Sequence, residues 1–260
     1  MKQLPYPLEF MHKFNLHKWL RLEMRDDDLP AIARIYGVPR GRLARIERGY
    51  RRNVDRLAAS LPRRAEPPLD KPVRILALGD SITSDRESWA RILGRYWRED
   101  PKRRILDSAV SGDTTASLLE RYHSTVGNQD FDWVVLFIGT NDCRQLDGKT
   151  PMVSLGEYRR NLEILLDRLE GKRIVLVTLP PADNARFQAF FPDSGNCYEG
   201  EHLAEANRVL RELAVRRKLA LADLAAGLEP LGTEALEADG LHMSSAGQLV
   251  LCRLLLAILP

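Results

Sequence analysis

Val73-Arg-Ile-Leu-Ala-Leu-Gly-Asp-Ser81 is an apolar run of strand length that breaks off at Gly79-Asp80-Ser81, before helix-compatible sequence. A strand buried on both faces reads as a near-continuous apolar run, and such strands belong to parallel sheets. Open α/β sheets place their chemistry beyond the C-terminal edge of such strands. Ser81 would therefore project from a strand-to-helix turn, where a nucleophile is needed. Gly-Asp-Ser taken alone is also a common turn, and the remainder of the chain has to separate the two.

Working outward, apolar runs recur at Arg104–Ala109, Trp133–Ile138, Arg173–Leu179 and Leu219–Leu224. Helix-like segments lie between them at Ser88–Arg98, Thr115–His123, Leu155–Leu169 and Gly200–Lys218, with a last one from Ser245 to Leu259. Strands alternating with helices predict a parallel sheet covered on both faces.

The first quarter of the chain differs. From Leu8 to about Leu61 it reads as helical, with a helix over residues 14–24 and Asp26-Asp27-Asp28 as N-cap of the next. Gly37 supplies a left-handed stop, Val38-Pro39 restarts a helix, and Gly49 is expected to end it. Helix, Gly-containing turn and helix form the helix-turn-helix pattern. Residues 1–69 hold 15 Lys and Arg against 8 Asp and Glu, and the remainder holds 24 against 28. A basic first quarter on a mildly acidic body implies two parts with different partners. Leu61-Pro-Arg-Arg-Ala-Glu-Pro-Pro-Leu-Asp-Lys-Pro72 is rich in proline and is expected to be an extended, semi-rigid linker. The expected organisation is a helical domain over 1–61, a linker over 62–72 and an α/β domain over 73–260.

With 260 residues and 44% hydrophobic composition the chain can bury a sizeable core. Cys143, Cys197 and Cys252 lack metal-type spacing, and the N-terminus lacks the apolar region of a secretory leader. Reduced thiols and a cytoplasmic location are expected, with no membrane-spanning run.

Four short blocks carry the chemistry. Gly79-Asp-Ser81-Ile follows the first strand, Ser111-Gly112-Asp-Thr-Thr the second and Gly139-Thr-Asn141-Asp the third, while Asp239-Gly-Leu-His242 precedes the last helix. Singly, each is an ordinary turn. Together, in this order over residues 72–260, they resemble the SGNH (GDSL-type) hydrolase superfamily, with Ile82 in place of the usual leucine of the GDSL signature. The resemblance implies a three-layer α/β/α, flavodoxin-like fold and a serine esterase.

The chemistry of the residues agrees. An ester carbonyl needs a nucleophile, a base to take its proton, and donors aimed at the oxygen that becomes negative. Ser81 is the candidate nucleophile, His242 the candidate base and then acid, and Asp239 the group that orients the imidazole. The resemblance implies an oxyanion hole from the backbone N–H groups of Ser81 and Gly112 and the side-chain amide of Asn141. A glycine at 112 lets the backbone approach substrate, and an amide at 141 donates without titrating near neutral pH. Asp80 and Asp142 are expected to be structural hydrogen-bonders, and Cys143 a loop thiol. His12, His17, His123 and His202 have no partner pattern and are expected to be structural. No phosphate loop, dinucleotide fingerprint or metal-ligand spacing is present, so no cofactor is expected.

Substrate choice is less legible. The long segment Pro180–Tyr198 carries Phe187, Phe190, Phe191 and Tyr198, which could line an acyl or sugar pocket or plug the segment to the body. The superfamily spans short-chain esterases, carbohydrate deacetylases, thioesterases and lysophospholipases. A small acyl ester is expected, with thioesters and lysophospholipids as alternatives. Residues 16–50, through the segment Ile32–Gly49, also resemble the repressor-type DNA-binding helix-turn-helix family, which would place Arg40, Arg42 and Arg45 on a recognition helix, although Gly41 weakens that helix and the later helices of that domain are truncated. DNA contact, self-association or docking, and simple packing on the body are the competing roles for residues 1–61. In the alternative function of a DNA-associated or docking protein, the hydrolase body would be a sensor or a vestige.

Overall fold

The computed structural model describes residues 7–15, 28–63, 69–146, 148 and 150–260. Three helices come first: α1 (Leu8–Lys13), α2 (Leu29–Tyr36) and α3 (Arg40–Ser60). The Asp28 side chain accepts from the Ala31 N–H at 3.0 Å, and Gly37 stops α2 at φ 64°. Of the helix expected over residues 14–24, only Phe14 and Asn15, just past the end of α1, are described; Asp26, Asp27, His17 and linker residues 64–68 also lie outside the described residues.

Gly49 does not end α3, which runs on to Ser60. Leu43, Glu47, Val54, Leu57 and Ala58 continue one buried stripe across it. Burying that stripe outweighs the roughly 1 kcal/mol that a mid-helix glycine costs. Leu43 joins a small core with Leu8, Met11, Ile32, Ala33 and Tyr36. Val54, Leu57 and Ala58 belong instead to the main core of the body.

The body then proceeds as β1 (Val73–Gly79), α4 (Ser81–Ser84), α5 (Trp89–Tyr96), β2 (Arg103–Asp107), α6 (Thr115–Thr125) and β3 (Trp133–Phe137). After it come β4 (Arg144–Leu146), β5 (Thr150–Pro151), α7 (Leu155–Arg168), β6 (Arg173–Val177), α8 (Asn184–Phe190) and β7 (Asn196–Tyr198). The chain closes with α9 (Gly200–Arg217), β8 (Ala220–Ala222), α10 (Leu224–Leu228), a 3₁₀ stretch over Glu229–Ala235 and α11 (Ser245–Leu256).

Five strands form one parallel sheet in the order β2-β1-β3-β6-β8. This is the doubly wound order of flavodoxin-like folds, whose switch point falls between the first strand and its later neighbour. Here that point is the β1–β3 seam, paired from Ile75–Trp133 to Gly79–Phe137. Helices α5 and α11 pack together with α3 against α5, while α6, α7 and α9 form the other layer.

The segment after β6, expected to be a long loop, is partly ordered into α8 and β7. Asp183 accepts from Arg186 N at 3.1 Å to start α8, and Asn184 Oδ1 accepts from Tyr198 N at 2.6 Å. β7 then pairs antiparallel with β4, which also pairs with β5. The last strand is shorter than expected because the Asp223 side chain caps α10.

Candidate active site

The site is built where β1, β2 and β3 end. At Gly79 an added Cβ would lie 2.3 Å from the Phe137 carbonyl oxygen, so only glycine lets the ends of β1 and β3 close up. Asp80 then accepts from the Ile82 N–H at 3.0 Å and caps the one-turn helix α4, whose first residue is Ser81. A first helical residue has no intrahelical acceptor for its N–H, which leaves that donor for another group. Burial pushes the Asp80 carboxyl up to about 7, against the lowering effect of its bond from Ile82.

His242 reaches Ser81 from the turn before α11. Its Nε2 lies 2.8 Å from Ser81 Oγ and its Nδ1 lies 2.6 Å from Asp239 Oδ2. The other Asp239 oxygen accepts from the backbone N–H groups of Leu241 and His242 at 2.9 and 3.0 Å. Burial would raise the Asp239 pKa, but the imidazole and these donors hold it down at about 2. The turn needs glycine at 240: φ is 69°, and a Cβ there would meet the Asp183 carbonyl at 2.4 Å.

Gly112, with φ 81°, lies in the loop after β2. Asn141 lies after β3 and donates through Nδ2 to the Asp113 carbonyl at 3.0 Å, which ties its amide to that loop. Asp142 next to it accepts from the Thr115 N–H at 3.0 and 3.1 Å and from the Thr115 hydroxyl. Burial drives the Asp142 carboxyl up to about 7, with the Thr115 bonds pulling the other way. Asp80 and Asp142 thus brace the turns that carry Ser81 and Asn141.

A family model described as the GDSL-like lipase/acylhydrolase family matches residues 77–250, which includes all four blocks. The chain belongs to this family.

As a GDSL-like acylhydrolase it is a serine ester hydrolase. It is similar to the acetylxylan esterase of Geobacillus stearothermophilus, 29% identical over 58% of this chain and 69% of the relative. It is also similar to esterase TesA of Pseudomonas aeruginosa, 27% identical over 67% of this chain and 81% of the relative. Among solved structures, the lipase/acylhydrolase of Enterococcus faecalis superposes with a TM-score of 0.60 at 26% identity, over 71% of this chain and 94% of the other.

The structure brings Ser81, His242 and Asp239 into one hydrogen-bonded line, with Asn141 at the end of the strand beside β1. Phe187 and Tyr198 are buried against each other, ring centroids 5.1 Å apart, while Phe190 is exposed and Phe191 half-buried. Arg40, Arg42 and Arg45 are exposed on α3. Cys143 is buried and its thiol is pushed up to about 12 by burial and then by Asp142, so it is held protonated.

Two contributors to this acylhydrolase site were not legible beforehand. Gln248 of α11 donates to the Ile82 carbonyl at 3.3 Å and accepts from Trp89 N at 2.9 Å, locking the His242 helix to the Ser81 turn. Its one signal was a polar residue within an apolar helix. Phe14, at the end of α1, stacks on His242 with ring centroids 3.8 Å apart. Its only signal was helical spacing from Phe10.

Proposed function

We propose that the chain hydrolyses short acyl esters, acetyl foremost, through Ser81, His242 and Asp239, with Ser81, Gly112 and Asn141 supplying the oxyanion donors. The observation that carries this is the continuous line Asp239–His242–Ser81, at 2.6 and 2.8 Å. His242 Nε2 takes the Ser81 proton as Oγ bonds to the ester carbonyl carbon. The carbonyl π electrons move to oxygen, which the backbone N–H groups of Ser81 and Gly112 and one Asn141 N–H then receive. Asn141 Nδ2 carries two hydrogens; Asp113 takes one, which leaves the second for this role. The intermediate collapses, the alcohol leaves with the proton from His242, and an acyl-Ser81 remains. Water, deprotonated by the same imidazole, releases the acid and restores the serine.

The ester class is supported by the family and by both named relatives, one of which is an acetylxylan esterase. Esters of carbohydrate hydroxyls are therefore the first natural class to try. Among the described residues no helix is long and apolar enough to cross a membrane. Ser81→Ala is expected to abolish the burst of p-nitrophenol from p-nitrophenyl acetate and to lower steady-state turnover by about 10³-fold or more. A variant that still shows the burst at full amplitude would remove Ser81 from the mechanism.

A further inference from the structure

The family match begins at residue 77, yet the chain brings α1, from far upstream, onto the catalytic residues. Phe14 lies on the face of the His242 ring, tilted by only 25°, and is itself buried at 2% exposure. Phe10, one turn earlier, meets the same imidazole edge-on at 5.8 Å. Phe10 also packs on Phe190 and Phe191 at 5.8 and 5.6 Å.

The segment is fastened by polar contacts around the site. Asn15, fully buried, donates to the carbonyl of Ser84 at the end of α4. The Ser111 hydroxyl, one residue before Gly112, donates to the Phe14 carbonyl. Arg86 N donates to the Lys13 carbonyl at 2.9 Å, and Arg86 Nε to that of His12 at 3.0 Å. Lys13 Nζ pairs with Glu87 at 2.6 Å and Asp85 at 3.2 Å. Behind it, His12 and Arg86 both bond Glu47 Oε2 of α3 at 2.9 Å. So many anchors make α1 a fixed wall of the site. Ser81 nevertheless remains partly exposed, so the wall stands beside the nucleophile and does not seal it.

Chemistry tells which side the wall serves. The alcohol oxygen must come within about 3 Å of His242 Nε2 to receive its proton, so groups packed on the imidazole border the alcohol. Phe14 is too buried to meet substrate and acts by holding the imidazole. Phe10 is half-buried and Phe190 is 37% exposed, and these two offer ring surface. We infer that Phe10, with Phe190, forms an alcohol subsite that selects esters whose alcohol carries a flat apolar face, an aryl ring or the C–H face of a sugar. This rests on the catalytic roles proposed above.

The test compares kcat/KM of the full chain on benzyl acetate and methyl acetate. Phe10→Ala is expected to lower the benzyl-to-methyl ratio by roughly three- to tenfold, the worth of one aromatic contact. Because both esters are read on one preparation, the fraction of folded enzyme cancels. Phe10→Leu keeps apolar bulk but not the flat ring, and should lower the ratio by a smaller factor. The preference between methyl acetate and methyl hexanoate, which reports the acyl side, should move less than about twofold in either variant. An unchanged benzyl-to-methyl ratio in both variants, or a shift in acyl preference instead, overturns the inference. Ser81→Ala in the same assay keeps the two levels apart. If it is inactive while Phe10 variants behave as wild type, only the subsite falls; if it is active, the catalytic reading itself falls.

Discussion

Asp239 ends the hydrogen-bonded line and Asp80 caps the turn that carries its Ser81, and the two carboxyls are displaced in opposite directions. Asp239 is held at about 2, below its ordinary value, so the stability it supplies is complete above about pH 4 and is lost as pH falls toward 2. Asp80 is buried and pushed up to about 7. The folded state keeps its proton where the unfolded chain has lost it, so its contribution declines as pH rises from about 4 to 7. Asp80→Asn preserves the oxygen that accepts from Ile82 and removes the titration. Relative to the parent, the variant's melting temperature should therefore rise by a few degrees between pH 5 and pH 8. A difference in melting temperature that is the same at both pH values would contradict the burial argument. Residues of this kind were legible in part. The four blocks marked Ser81, Asn141 and His242 because each ends a strand or opens a helix, where local sequence sets the turn. Gln248 and Phe14 could not be found that way, since their partners lie across the fold and no local pattern encodes those contacts.

At the scale of elements, the parallel sheet followed from its apolar runs, because strands buried on both faces leave a plain mark in composition. α8, β4, β5 and β7 were missed: each is short, and among the described residues the three strands pair only with one another, β7 with β4 across a long sequence gap, with Asn184 Oδ1 accepting from Tyr198 N to tie α8 to β7. Gly49 misled for a different reason. A glycine after a helical stretch looks like a stop, and only the buried residues beyond it, Val54 and Leu57, reveal that the helix continues. A Cβ at position 49 would meet nothing within 4 Å. Gly49→Ala should therefore stabilise the protein by about 0.5–1 kcal/mol, as replacing a mid-helix glycine does. Urea unfolding checks this through the transition midpoint. A destabilised variant would show that the chain turns at Gly49, as the sequence alone suggested.

Across the whole molecule, the basic first quarter had left DNA contact, self-association and packing on the body as competing roles. Its helices bear on the body in two ways. The α1 end packs on His242, and the second half of α3 contributes Val54, Leu57 and Ala58 to the main core. The buried Glu47, bonded to both His12 and Arg86, joins the two. A tethered reader of another macromolecule would unfold on its own, whereas a brace that completes the core cannot leave without weakening the sheet. We therefore expect calorimetry of the intact chain to give a single transition, with loss of p-nitrophenyl acetate turnover coinciding with it. Leu57, 2% exposed, makes the test specific. Leu57→Ala should cost about 2–4 kcal/mol, the usual penalty for emptying a buried leucine site, and should move that one transition as a whole. Two separable transitions, with only the first displaced by Leu57→Ala and esterase activity surviving it, would contradict the brace and favour an independent N-terminal domain in which Arg40, Arg42 and Arg45 serve a different partner.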